Sequence, residues 1–162
     1  MKKLFIIRHA KSDQNFFGND FERPLNERGK TDGPVMAKRL LEKKIKIDAL
    51  VSSPAVRAKK TAELFAERLK LPKEEIILIS ALYHAAPEAF YEVIAALPDS
   101  LNSVAVFSHN PGITYFVNSL NTDIQVDNMP TCAIFAIGID ITQWSAFLKA
   151  EKKLLFFDYP KK

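Results

Sequence analysis

Residues 3–12 read KLFIIRHAKS: a short, mainly apolar run that gives way, with no turn residue between, to Arg8, His9, Lys11 and Ser12. An apolar run of this length that breaks off into charge is the pattern of a strand buried on both faces, as in a parallel sheet. The pattern returns twice. Residues 48–52 (DALVS) lead into Ser52-Ser53-Pro54-Ala55-Val56-Arg57, and residues 103–107 (SVAVF) lead into Ser108-His109-Asn110. Residues 76–79, 132–137 and 153–157 add three further strand-like runs.

Helix-like segments lie between them. In residues 26–45, Val35, Met36, Leu40 and Leu41 recur at helical spacing behind Asn26, a residue type suited to an N-cap. Gly33-Pro34 conflicts with that helix, because proline lacks the N–H that a helix interior needs; a kink or a short preceding turn is expected. A second helix is expected from Pro54 to about Leu69, with proline in its first turn and Ala58, Ala62, Leu64, Phe65 and Leu69 on its apolar face. Residues 87–97 and about 114–120 read as two more. Strands alternating with helices predict an α/β fold, a three-layer α/β/α sandwich around a mostly parallel sheet. At 162 residues the chain predicts one domain over residues 1–162, with no insertion long enough to form a large cap. Ligands of such sheets bind beyond the carboxyl ends of the strands, so the three polar clusters should meet on one rim.

Composition narrows the function classes. The formal net charge is +4, but the cations are scattered among 19 acids with no run of five like charges, which argues against nucleic acid as the partner. The single cysteine, Cys132, excludes an intrachain disulfide, fits a reducing compartment, and reads as a buried core thiol within TCAIFAIGI. The start MKKLFII is too short in its apolar part for a signal peptide, and no apolar run approaches ~20 residues, so neither a leader nor a membrane span is expected. The reading is a cytoplasmic protein.

Two arginines and two histidines are then expected on the rim: Arg8, His9, Arg57 and His109. Guanidinium forks suit a dianionic phosphoryl group. A neutral, oriented imidazole is a competent nucleophile toward phosphorus, and a second imidazole, protonated beside the anion, stabilises charge on the transferring oxygens. Each residue has a plainer use, as a hydrogen-bonded structural histidine or a surface arginine; their joint placement at strand ends favours the chemical one. His9, His84 and His109 lack the spacing of a metal site, so neither metal nor other cofactor is expected.

The residues carry a resemblance. Arg8-His9-Ala10-Lys11-Ser12-Asp13-Gln14-Asn15 resembles the signature of the histidine phosphatase superfamily, the phosphoglycerate mutase-like group. Arg23-Pro24-Leu25-Asn26-Glu27-Arg28-Gly29 resembles the next motif, the segment from Ser52 to Ala62 the one with the second arginine, and Ser108-His109-Asn110-Pro111-Gly112 the second-histidine segment. The short chain, Ala10, and the ending Phe157-Asp158-Tyr159-Pro160-Lys161 make it most similar to the SixA-type phosphohistidine phosphatase branch. The resemblance implies that His9 attacks phosphorus and that Arg8, Arg57 and His109 bind the phosphoryl oxygens. It also implies that Asn15 and Ser12 help hold phosphate; a loop cap is the alternative use of both.

Ala10 stands where the superfamily commonly has glycine, and Ser108 replaces another glycine before the second histidine, adding a side chain near the site that could tune it; its role is left open by the sequence. The general acid is open. The loop Leu82-Tyr83-His84-Ala85-Ala86-Pro87-Glu88 offers His84 and Glu88; Glu88 serves equally as first-turn decoration favoured by the helix dipole. The expected activity is hydrolysis of phosphohistidine protein or a related phosphoramidate. The alternatives are a general small-molecule phosphomonoesterase and a non-catalytic phosphate-binding module. The short chain and undefined acid argue against a mutase. Oligomeric state is left open by the sequence.

Overall fold

A computed structural model describes residues 1–161 of the chain. Six strands form one sheet: β1 (Lys2–Arg8), β2 (Ala49–Ser52), β3 (Ile77–Leu78), β4 (Ser103–Ser108), β5 (Ile134–Ile139) and β6 (Lys152–Asp158), in the order β3-β2-β4-β1-β5-β6. Strands β3, β2, β4 and β1 pair in parallel; β5 alone runs against them, and β6, antiparallel to β5, returns to the common direction. The expected mostly parallel α/β sheet is therefore what forms.

Strand alternation divides the core between two faces. Leu4, Ile6, Val104 and Val106 pack on one face with Phe90, Val93, Ile94, Ile113, Phe116 and Val117. These last come from α3 (Pro87–Ala95) and α4 (Gly112–Ser119). Phe5, Ile7, Ala105 and Phe107 pack on the other with Met36, Ala37, Leu40, Ala62, Phe65 and Ala66. Those lie on α1 (Glu27–Glu42) and α2 (Val56–Leu69), completing three layers. Fully burying each such large side chain contributes about 1.5–3 kcal/mol.

Three local expectations change. Helix α1 runs unbroken through Pro34, capped by Asn26, whose side chain accepts from the Gly29 N–H; packing of Met36, Ala37 and Leu40 offsets the proline, and Val35 and Leu41 turn out to solvent. Pro54 precedes the Ala55 cap of α2 and so lies outside the helix. Strand β3 shrinks to two exposed residues at the sheet edge, where only one neighbour supplies hydrogen bonds. The stretch 10–25 is ordered by a 3-10 turn at Asp20–Glu22 and a bridge between Ser12 and Leu25. Cys132 is fully buried, and burial, with the charge of Asp32, pushes its thiol well above the ordinary range. Among the described residues no helix is long and apolar enough to cross a membrane.

Candidate active site

Sheet order and register bring the clusters together. Strands β2, β4 and β1 are adjacent and parallel, with Arg8 opposite Ser108 and Ser52 opposite Phe107. His9, Ser53 and His109, each one residue past a strand end, therefore emerge side by side. Backbone bonds hold the exits: the His9 N–H donates to Ser108 O at 3.1 Å and the Ser53 N–H to Phe107 O at 3.0 Å. Thr61 on α2 secures the next residue, accepting from the Ala10 N–H at 2.9 Å while its hydroxyl donates to Arg57 O.

The result is a cleft of about 330 Å³ whose lining includes Arg8, His9, Ser12, Arg57 and His109. His9 and His109 are 4% and 7% exposed, with ring centroids 5.2 Å apart. Nδ1 of His9 sits 2.7 Å from the carbonyl oxygen of Ala10. A carbonyl only accepts, so Nδ1 carries the proton and the lone pair resides on Nε2. Burial holds the His9 pKa well below the usual imidazole value, against the bond to Ala10 and with the help of His109, Arg8 and Arg57. The ring is thus neutral and oriented at neutral pH.

Burial and the charge of Arg57, opposed by Asp20, lower the pKa of His109 to about 3, so its ring is neutral at neutral pH. Its Nε2 lies 2.7 Å from Ser53 Oγ. Nδ1 of His109, Nε of Arg8 and Nε of Arg57 are all buried without a hydrogen-bond partner. Three unsatisfied nitrogens in one small pocket would each cost about 1–3 kcal/mol if nothing bound them. Oxygen acceptors such as those of a phosphoryl group are the chemistry that matches such donors. Burial, and repulsion of Arg8 by the charges of Arg23 and Arg57, lower the pKa of Arg8.

The sequence missed several residues of the site. Arg23 lines the pocket and donates from Nη1 to Ser12 Oγ. Asp20 accepts from Arg57 Nη2 at 3.1 Å, from Arg23 Nη2 at 3.1 Å and from Tyr83 Oη at 2.8 Å. Burial works against its charge, but Tyr83, Arg23 and Arg57 together hold the carboxyl well below the usual carboxylate range. Only the Arg23-Pro24-Leu25 motif pointed to this segment. Gln14 lines the cleft where Asn15 was expected: the Asp13 carboxylate accepts from the Asn15 N–H at 2.9 Å in a tight turn that leaves Asn15 exposed. Ser12 is buried at the pocket wall. The Ser108 hydroxyl donates to Leu82 O at 2.6 Å, a contact within the fold.

The acid candidates lie outside the cleft. His84 is exposed, stacks on Tyr83 at 3.9 Å, and lines a neighbouring cleft that meets the site at His109 and Asn110. Glu88 is exposed in the first turn of α3 and lines neither. Among the described residues no three His, Cys, Asp or Glu side chains converge as metal ligands.

A mostly parallel sheet with a buried neutral histidine ringed by arginines suits a phosphoryl-handling protein, and the chain is similar to the histidine phosphatase superfamily. The sequence model of that superfamily, branch 1, matches residues 4–80. The chain is 28% identical over 139 residues to phosphohistidine phosphatase SixA of Escherichia coli K12, covering 85% of this chain and 86% of that protein. The structure of the protein histidine phosphatase SixA complexed with tungstate superposes with a TM-score of 0.82 at 25% identity, covering 98% of this chain and 97% of that one. Mycobacterial glucosyl-3-phosphoglycerate phosphatase, at 14% identity, TM-score 0.66 and 98% coverage of both chains, shares the fold alone.

Proposed function

We propose that this chain is a phosphatase that passes a phosphoryl group from its substrate to Nε2 of His9 and then to water. The observation that carries the reading is the Nδ1 contact of His9 to the Ala10 carbonyl, beside three buried nitrogens that lack protein partners. In the first step the Nε2 lone pair forms a bond to phosphorus as the bond to the leaving group breaks. Arg8, Arg57 and His109 bear the equatorial oxygens, whose negative charge they stabilise throughout. In the second step water attacks phospho-His9, loses a proton, and releases inorganic phosphate, restoring neutral His9. Arginines supply the neutralising charge.

The favoured substrate is phosphohistidine in a protein, or a related phosphoramidate. The described lining of the pocket carries no Asp or Glu. A poor alkoxide leaving group would need such an acid, whereas the nitrogen of a phosphoramidate takes its proton readily. The SixA relatives support the same choice, since they bear that name for this substrate. We infer a reducing, cytoplasmic setting from the single buried thiol of Cys132. The test is parallel turnover of a phosphohistidine protein and p-nitrophenyl phosphate, with His9→Ala as control. Preference for phosphohistidine supports the reading. Preference for the ester makes the chain a general phosphomonoesterase, and absence of His9-dependent turnover of both makes it a phosphate-binding module.

A further inference from the structure

The C-terminal segment Asp158–Lys161 is absent from the chemistry above, yet it is held firmly in place. Arg39 on α1 donates from Nη1 to Asp158 Oδ1 at 3.0 Å and to Tyr159 O at 2.9 Å, and from Nη2 to Pro160 O at 3.1 Å. Tyr159, Pro160 and Lys161 line a second cleft, of about 280 Å³, together with Lys11, Arg28 and Thr131. Lys11 and Thr131 also line the phosphoryl pocket, so the two clefts share a wall.

The second cleft is cationic. Lys11, Arg28 and Lys161 line it against one carboxylate, Asp32, which is 7% exposed and already bound by Arg28 Nε at 3.1 Å. Asp32 thus engages Nε of the guanidinium, and among the described residues the Nη groups of Arg28 have no hydrogen-bond partner. Among the described residues Lys11 and Lys161 have no ion-pair partner. Placing three cations around one shallow space, with one paired anion, favours a second negative group on whatever occupies the first pocket.

Resting on the phosphatase reading, we propose that this cleft is a subsite for a carboxylate carried next to the phosphoryl group, and that its source is an acidic side chain flanking the phosphohistidine of a protein substrate. Because Lys11 and Thr131 line both clefts, one extended or helical surface can present both groups together. Specificity is then set by Lys11, Arg28 and Lys161, while Arg8 and Arg57 serve every phosphoryl group alike. The expected preference is modest, because exposed ion pairs are screened by solvent and salt.

The experiment compares peptides bearing a non-hydrolysable phosphotriazole analogue of phosphohistidine, flanked on both sides by Glu or by Gln. Calorimetry on the full chain should give about fivefold tighter binding of the Glu peptide at low salt, shrinking as salt rises. The R28Q/K161Q double variant should lose that preference while hydrolysing p-nitrophenyl phosphate at the parent rate. Equal affinity of the two peptides for the parent overturns the subsite, and a preference retained by R28Q/K161Q overturns its location. If 4-carboxyphenyl phosphate outruns phenyl phosphate through Arg28 while the peptides do not differ, the carboxylate belongs to a small ester and the protein source is overturned. Failure to turn over both p-nitrophenyl phosphate and a phosphohistidine protein would instead overturn the phosphatase reading and leave the binding comparison intact.

Discussion

The Asp20 carboxylate accepts a hydrogen bond from Nη2 of Arg57 at 3.1 Å, and the Asp20 carbonyl oxygen accepts from Nη1 of the same guanidinium at 2.7 Å. One residue of a surface loop therefore holds both terminal nitrogens of a buried arginine, whose Nε has no partner among the described residues. Asp20→Asn keeps the size but removes the charge. We expect kcat/KM for p-nitrophenyl phosphate to fall by about three- to tenfold, since half the Asp20 side chain is exposed and its pairing is partly screened. Arg57→Ala should cost about 3 kcal/mol of transition-state binding, by comparison with loss of one oxyanion donor. Unchanged kinetics in both variants would detach Asp20 and Arg57 from the site.

His9→Ala should abolish turnover, leaving no group to carry the phosphoryl intermediate. Rapid acid-free quenching with labelled substrate should trap a base-stable, acid-labile phosphoenzyme in the parent and none in the variant. Activity in His9→Ala above a few per cent of the parent would end the nucleophile assignment.

Ser53 positions His109 through the 2.7 Å contact between Oγ and Nε2. A serine hydroxyl donating to Nε2 leaves the proton on Nδ1, the buried nitrogen without a partner. Ser53→Ala should lower kcat by about tenfold, or about 1.4 kcal/mol, with a smaller change in phosphate affinity. Ser53→Thr should restore much of the rate. Equal kcat for Ser53→Ala and parent would reduce the contact to packing.

Protonation of the two buried imidazoles opposes folding. Both folded-state values lie below the ordinary 6.5, His109 at about 3. The unfolded chain therefore binds more protons as pH falls below 6.5, so stability present above that value is lost toward acid, by about 1.4 kcal/mol per pH unit for each such histidine. Denaturant midpoints at about pH 7 and about pH 4.5 should differ in that direction. Imidazole resonances of His9 and His109 that titrate near 6.5 in the free protein would contradict it.

Gly29 fixes the loop that carries Lys11. A Cβ at position 29 would stand 2.1 Å from the Lys11 carbonyl oxygen, too close for any rotamer to relieve. Gly29→Ala should lower the melting temperature and, by displacing Lys11 and Ser12, weaken phosphate binding. A fully stable and active Gly29→Ala protein would mean that this loop moves freely.

Much of this protein is legible without coordinates. The apolar runs at 3–7, 48–52 and 103–107 declare buried strands because a strand covered on both faces has no polar side to show. Their polar exits name Arg8, His9, Arg57 and His109, since side chains just past the ends of parallel strands share a rim. What the sequence does not contain is the pairing of distant loops. Asp20 meets Arg57 across 37 positions and Tyr83 across 63, and no local periodicity encodes such a contact. Likewise Gln14 rather than Asn15 reaches the cleft because one side-chain-to-backbone bond at Asp13 decides the turn. Ser108 points to Leu82 because register, not residue type, sets which way it faces. Residue chemistry and strand order determined the reagents; only the packed chain decided which groups restrain them, because that depends on loop paths whose energies are balanced in three dimensions.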